Sequence, residues 1–127
     1  MSSPYFFQNM VTLRKIFPLL AEEIEKAKDN EENLTIEETA SGDPTLLIRL
    51  KEQAEGSSGI YVHSRRDPKR EAERLIESAA RESSSDETPA LVLGFGLGYA
   101  ALALAAKFPD RPIIIVEKRA DVLRKTL

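Results

Sequence analysis

The most restrictive feature of the sequence is a glycine-rich segment between an apolar run and an alanine-rich run. Ala90–Leu93 is short and apolar, the segment Gly94–Gly98 follows at once, and the alanine-rich run continues to Lys107. A second apolar run, Ile113–Val116, consists of β-branched residues. A strand, a tight turn, a helix and a strand in this order fold as a right-handed βαβ unit with parallel strands. The sequence therefore predicts a partial Rossmann-like unit in its second half.

The two predicted strands are apolar along their whole length. This is typical of parallel strands that are covered on both faces. A doubly wound sheet has about five or six strands, so two strands are too few to complete one. We therefore expect residues 63–127 to be the start of a truncated Rossmann-like domain. Either a C-terminal domain or a second copy in a homo-oligomer would complete it.

The glycine turn has the spacing of a site for a nucleotide or nucleoside. Glycines allow a tight turn and close approach of a ligand, and the helix N-terminus offers unpaired amides and a positive dipole end. Glu117 ends the next strand, nineteen positions after Gly98, and an acidic residue about twenty positions on can accept the ribose hydroxyls. We expect a ligand to approach the turn at Gly96, so that Gly96→Val should abolish its binding. The candidate ligand-binding residues are Gly94, Gly96, Gly98 and Glu117.

The glycine pattern also fits a purely structural role. The dinucleotide pattern G-x-G-x-x-G would require a glycine at Tyr99, and the frame that starts at Gly96 meets only the relaxed form that ends in alanine. Rossmann-fold methyltransferases usually have an acidic residue two positions before the first glycine, where this chain has Val92. The alternative is therefore that the glycines only make a closely packed strand-to-helix turn.

The N-terminal region predicts two short helices. Apolar residues recur at steps of three and four, which marks one face of an amphipathic helix: Phe6, Met10, Leu13, Phe17, Leu20 and Ile24. Pro18 interrupts this pattern because proline lacks an amide donor. We expect two helices that meet near Phe17, or one kinked helix, with the apolar stripe packed against the domain.

From Leu34 the apolar period changes to two, which indicates strands. The patterns of Leu34–Glu37 and Leu46–Leu50 predict a hairpin with one exposed face, and Ile60–Val62 predicts a third strand. We expect a small antiparallel sheet covered by the N-terminal helices, so that residues 1–62 form a helical and β-sheet subdomain.

Two polar segments lie outside these elements. Glu55–Gly59 predicts a break before the third strand, and Ser83–Asp86 predicts a linker before the Rossmann-like unit.

Basic residues cluster before a predicted third helix. Asp67 can cap this helix, and Pro68 suits its first position. Three neighbouring residues are candidates for phosphate binding: Ser64, Arg65 and Arg66. The alternative is that they belong to a solvated charged surface. His63, at the end of a predicted strand, is expected to be a hydrogen-bonded structural residue rather than a catalytic base.

Composition excludes several classes of site and partner. The chain has no cysteine and one histidine, which excludes disulfides, thiolate zinc sites, a cysteine nucleophile and a multi-histidine metal site. A net charge of -3 gives no long-range attraction for nucleic acid. The N-terminus lacks the pattern of a signal peptide, and the longest apolar run, Tyr99–Ala106, is shorter than the roughly 20 residues that span a bilayer. We expect a cytoplasmic protein without metal, nucleic-acid or membrane partners.

Several motifs together resemble a known family. They are Tyr61 in a strand, the helix start Ser64–Ala72, the run Leu93–Tyr99, and a strand that ends in Val116-Glu117. This arrangement resembles the N-terminal half of the motility accessory factor proteins, which are flagellin glycosyltransferases related to the archaeal 6-hydroxymethylpterin diphosphokinase-like proteins. The resemblance extends well over residues 61–127.

The resemblance implies a nucleotide-sugar-dependent transferase that moves a nonulosonic acid to serine or threonine of flagellin. The catalytic centre of such proteins is expected in a downstream domain. The chain is therefore expected to be inactive alone, and no catalytic residue is assigned in it.

Two other functions stay open. The first is a fragment of an S-adenosylmethionine-dependent methyltransferase, which the glycine turn and Glu117 favour and Val92 opposes. The second is a non-catalytic oligomerisation module.

Overall fold

The computed structural model describes residues 3–50, 59–82 and 87–127. The predicted linker Ser83–Asp86 lies outside these residues, and only Gly59 of the predicted break is described. The fold is mixed α/β, as predicted. Its elements in chain order are α1 Phe6–Ile16, α2 Pro18–Lys26, β1 Leu34–Glu38, β2 Pro44–Ile48, β3 Ile60–Tyr61, α3 Pro68–Glu82, β4 Ala90–Leu93, α4 Tyr99–Lys107, β5 Ile113–Val116 and α5 Ala120–Thr126.

The N-terminal region forms two helices that are separated at Phe17. Phe17 has a non-helical backbone, with φ −134° and ψ 71°, and Pro18 starts α2. Met10 and Ile24 are buried as the apolar stripe predicts, whereas Phe17 and Leu20 in its middle are exposed. The prediction was wrong for this middle part, because the break takes Phe17 out of the helical geometry that would carry the stripe onward.

Helix α5 lies between the N-terminal helices and the small sheet. On one side, Leu123 and Leu127 pack against the buried cluster that contains Met10. On the other side, Val122 is buried with Leu34 and Leu46. The prediction that α1 and α2 cover the sheet directly was therefore wrong, because α5 has apolar side chains on both sides and occupies that position. The division of the chain at residues 62 and 63 stays a prediction.

The first sheet is antiparallel and has the order β1-β2-β3. Leu34 pairs with Ile48, and Glu38 pairs with Pro44, so β2 begins and ends two residues before its predicted bounds. The three consecutive residues Thr45, Leu46 and Leu47 are all buried. The prediction of one exposed face was wrong for β2, because Leu46 packs against Val122 on one face while Thr45 and Leu47 are buried on the other.

The second sheet confirms the predicted βαβ unit. Strands β4 and β5 are parallel, and α4 connects them. The amide of Ala90 donates to the carbonyl of Pro112, and that of Gly94 donates to Val116, at 2.9 and 2.8 Å. Because hydrogen-bonding directions alternate along a parallel strand, the backbone groups of Leu91 and Leu93 point away from β5.

One face of this second sheet is uncovered within the described residues. The exposed fractions are 61% for Leu91, 77% for Leu93, 52% for Ile114 and 50% for Val116. None of the described helices covers this face. The reason is that α3 packs against α4 and α5 packs against α2, which leaves none of these helices for the second face.

The contact between α5 and the small sheet predicts a large cost for truncating Leu46. Its side chain is fully buried, at 0% exposure, against Val122. Leu46→Ala should lower the free energy of unfolding by about 3 kcal/mol, because it removes buried methyl groups and leaves a cavity. Denaturant titration measures the change. Leu19→Ala is the matched control, because Leu19 is 77% exposed, and equal costs for the two variants would contradict this packing.

Candidate functional site

The glycine turn connects β4 to α4 through three left-handed residues. Gly94, Gly96 and Gly98 have φ angles of 86°, 55° and 81°, which residues with a side chain rarely adopt. The amide of Gly98 donates to the carbonyl of Phe95 at 2.9 Å and closes the turn. Helix α4 therefore begins directly after Gly98.

His63 contacts the middle of the glycine turn. The amide of Leu97 donates to His63 Nε2 at 2.9 Å, so the proton of the neutral ring is assigned to Nδ1. A Cβ atom on Gly96 would lie 2.4 Å from Nε2. Gly96 is therefore the residue that lets the imidazole reach the backbone of the turn.

Tyr99 contacts the ring of His63, and Thr45 holds its backbone. The imidazole meets the Tyr99 ring edge to face, with centroids 4.9 Å apart. The hydroxyl of Thr45 donates to the carbonyl of His63 at 2.9 Å, and that of Tyr99 donates to the carbonyl of Pro44 at 2.6 Å. These bonds connect β2 of the small sheet to the glycine turn. His63 is thus a hydrogen-bonded residue, as expected, but the sequence pattern did not indicate its partner.

Burial lowers the pKa of His63 below its ordinary value of 6.5, and the nearby carboxylate of Glu71 partly opposes this shift. The ring is therefore neutral at about pH 7. This charge state agrees with the role of Nε2 as an acceptor.

Glu117 holds the other side of the turn. One carboxylate oxygen accepts the amide of Phe95, and the other accepts the amide of Arg119, both at 2.9 Å. A carboxylate offers about four acceptor positions, so two positions remain after these bonds. Glu117 is fixed beside the turn and can still accept hydrogen bonds from a ligand.

A cavity of about 860 Å³ opens beside the turn. Gly94, Gly96 and Glu117 line it, together with apolar residues of the small sheet, α3 and β4 such as Leu46, Val62 and Leu75. Its volume lies within the range of small-molecule sites, about 300–1,000 Å³. The structure therefore brings the glycine turn, the acidic residue and an apolar wall to one place.

The glycines of the turn face different surroundings. A Cβ on Gly94 would meet no heavy atom within 4 Å, whereas one on Gly96 would collide with His63. A Cβ on Gly98 would lie 3.3 Å from the Phe95 ring. His63 occupies the side of Gly96 to which a Cβ would point, and the role of Gly96 in ligand binding stays a prediction. Gly94 has the open side.

The three candidate phosphate-binding residues lie in the loop before α3. The hydroxyl of Ser64 accepts the amides of Arg66 and Asp67, at 3.1 and 3.3 Å. The Arg65 guanidinium lies 4.7 Å from the centroid of the Tyr61 ring, and Arg66 is exposed. The structure does not place these residues in the cavity lining, and their phosphate role stays a prediction.

The two arginines that line the cavity already have partners. Arg119 forms an ion pair with Asp121 at 2.6 Å, and this hydrogen bond is the main reason that the pKa of Asp121 is lowered. Arg111 donates to the carbonyl of Thr88 at 2.5 Å. The cavity therefore presents an acidic group at the turn and arginines that are held by other residues.

The part of the chain that the structure describes contains no group of three or more histidine, cysteine, aspartate or glutamate residues that could hold a metal ion. No helix in that part has the length and apolar character needed to cross a membrane.

Comparison with known proteins finds a similar sequence and a similar solved structure. No family model matches the chain. An uncharacterised protein of Treponema pallidum is 28% identical over 120 residues, which cover 89% of this chain and 37% of that protein. The crystal structure of MnmC2 from Aquifex aeolicus is similar with a TM-score of 0.40 and 25% identity, covering 88% of this chain and 41% of that chain. The chain spans less than half the length of either protein.

The different surroundings of Gly94 and Gly96 predict different costs for one substitution. Gly94→Ala should cost about 1–2 kcal/mol of folding free energy, because alanine is strained in the left-handed region. Gly96→Ala should cost clearly more, because its methyl group would also displace His63. Denaturant titration of the two variants measures the difference. Equal costs would mean that the imidazole is not packed against Gly96.

Proposed function

We propose that the chain is the nucleoside-binding N-terminal part of a cytoplasmic, nucleotide-sugar-dependent transferase of the motility accessory factor type. The observation that carries the proposal is that Gly94, where a Cβ would meet no neighbouring atom, and Glu117 both line one large, mostly apolar cavity. The motifs of residues 61–127 support the assignment to this family. The absence of cysteine is consistent with a reducing compartment.

The proposed ligand would use each part of the site differently. Its ribose hydroxyls would donate to the remaining acceptor positions of Glu117, and its base would lie against apolar residues such as Leu46 and Val62. Its phosphate would lie near the start of α4, where Gly98 provides no side-chain cap and the helix dipole favours negative charge. This division of contacts is typical of nucleoside recognition at a strand-to-helix turn.

The transfer step itself is assigned to a part of the protein outside this chain. In such a step the bond between the sugar and the nucleotide phosphate breaks, and a bond forms to the hydroxyl oxygen of serine or threonine. The hydroxyl proton passes to a base. The proposed contribution of residues 1–127 is to bind and orient the nucleotide.

One observation favours a methyltransferase-like alternative. The cavity arginines, Arg111 and Arg119, are held by Thr88 and Asp121, so they are not positioned for a phosphate. S-adenosylmethionine has a ribose for Glu117 but no phosphate. Binding of this compound in preference to a cytidine nucleotide would select the alternative.

Calorimetry with cytidine monophosphate, its 2′-deoxy form and S-adenosylmethionine tests the proposal. Cytidine monophosphate should bind the wild type, and loss of the 2′-hydroxyl should weaken binding roughly tenfold, because it removes a hydrogen bond to a charged group. In Glu117→Gln the difference between the ribose and deoxyribose forms should largely disappear. Gln at this position keeps an acceptor for one backbone amide, so it is the conservative variant.

Two results would contradict the proposal. No heat with any of the three compounds at millimolar concentration would leave a packing role for the glycine turn. Binding that does not distinguish the ribose from the deoxyribose form in the wild type would show that Glu117 does not contact the sugar.

We further propose that a second copy pairs with the exposed edge of β4 when the 127-residue chain is studied alone. The backbone groups of Leu91 and Leu93 point away from β5, and unpaired strand edges promote association with another chain. Two β4 edges related by a two-fold axis would form one continuous four-stranded sheet. In the longer relative, additional residues could take this place.

Sedimentation at several concentrations tests this association. The wild type should form a dimer. Leu93→Glu should shift it to a monomer, because each copy would then place a charge at the apolar interface. Leu19→Glu is the control, because Leu19 on α2 is as exposed as Leu93 but lies far from β4 in the sequence. A monomeric wild type at high micromolar concentration would contradict the proposal.

A further inference from the structure

We infer that His63 is a positioning residue that holds the glycine turn in the form that receives the nucleoside. This inference rests on the proposed function. It extends that function to a residue outside the glycine motif, 34 positions before the turn residue that it contacts.

The hydrogen bonds of the turn show how the positioning works. The two non-glycine residues are each held by a side chain, because Phe95 donates to Glu117 and Leu97 donates to His63. Both side chains lie outside the turn: His63 is in the connection between β3 and α3, and Glu117 is in the connection between β5 and α5. With its non-glycine amides fixed in this way, the turn keeps Gly94, which has open space at its Cβ position, in the cavity lining.

The surroundings of His63 suit this role better than that of a general packing residue. The imidazole fits against the turn only because residue 96 is glycine: a Cβ atom there would lie 2.4 Å from Nε2. The ring is also fixed by Tyr99, and its backbone by Thr45. The imidazole thus connects the small sheet to the turn through one acceptor atom.

The acceptor atom makes the contact dependent on pH. A protonated imidazole has two donors and no acceptor, so protonation must break the bond from Leu97. Among the described residues, the charged group that acts on the ring is Glu71 of α3, which favours protonation, and the Tyr99 ring of α4 meets the imidazole edge to face. Thr45 of β2 is uncharged and bonds to the backbone carbonyl of His63. Glu117 lies beyond the turn, on Phe95.

The direction of the effect follows from the lowered pKa of His63. The unfolded chain binds the proton more readily than the folded chain. The stability that His63 contributes is therefore fully present above pH 6.5, the ordinary pKa of histidine. It is lost as the pH falls through the folded pKa. Acid should therefore loosen the turn, whereas mild alkali should leave it unchanged.

The first experiment examines the unliganded chain by nitrogen NMR and amide exchange. At about pH 7.5 the neutral ring should carry its proton on Nδ1, and the Leu97 amide should be protected. His63→Leu removes the acceptor and should speed Leu97 exchange at least tenfold, while His63→Gln supplies an amide oxygen and should retain most of the protection. A wild-type proton on Nε2, or equal Leu97 exchange in both variants, would overturn the inference.

The second experiment measures binding of cytidine, which has no phosphate to titrate. As the pH falls from about 7.5 through the lowered pKa of His63, affinity should fall several-fold in the wild type and stay nearly constant in His63→Gln. His63→Leu should bind at least tenfold more weakly at the higher pH. Equal affinity of the wild type and His63→Leu would overturn the inference but not the proposed function.

The two experiments separate the two claims. If Leu97 protection follows the acceptor as stated but cytidine does not bind, the proposed function fails and His63 still positions the turn. If cytidine binds and Leu97 protection is independent of His63, the function stands and the inference fails. Near-ultraviolet circular dichroism of both variants establishes that they are folded.

Discussion

The hydrogen bond from the Leu97 amide to His63 is the contact on which the arrangement of the site depends. Three left-handed glycines make the turn possible, but glycine loses more conformational entropy on folding than any other residue. The turn therefore needs contacts from outside itself. His63 supplies one from the small sheet and Glu117 supplies one from β5. These two acceptors hold the shape of the turn, and the bond from Phe95 also holds Glu117 beside the cavity.

The second constraint is the packing of α5. This short helix contacts the N-terminal helices through Leu123 and the small sheet through Val122. The polar bond from Asn30 to Asp121 reinforces the first contact. Because α5 follows β5 directly, its position also fixes the end of β5, where Glu117 lies. The N-terminal region thus helps to place the acidic residue of a site that it does not line.

The sequence was sufficient to predict those parts of the fold that depend on local periodicity. The order of β4, the turn, α4 and β5 follows from apolar runs around Gly94–Gly98, and the hairpin follows from the change of period at Leu34. Contacts between distant segments could not be predicted this way, because no repeating pattern connects His63 to Leu97 or Val122 to Leu46. Gly94 and Gly96 differ in what a side chain at each position would meet. Only the three-dimensional structure shows that difference.

The central claim is that the glycine turn is a nucleoside site held open by its two side-chain acceptors. The most direct test is amide NMR during titration with cytidine monophosphate. The account predicts that the largest shifts fall at Gly94–Gly98, at the first residues of α4 and at Glu117, while α1 and α2 stay unchanged. No shifts at the turn, or shifts confined to the exposed loop at Arg65 and Arg66, would contradict it.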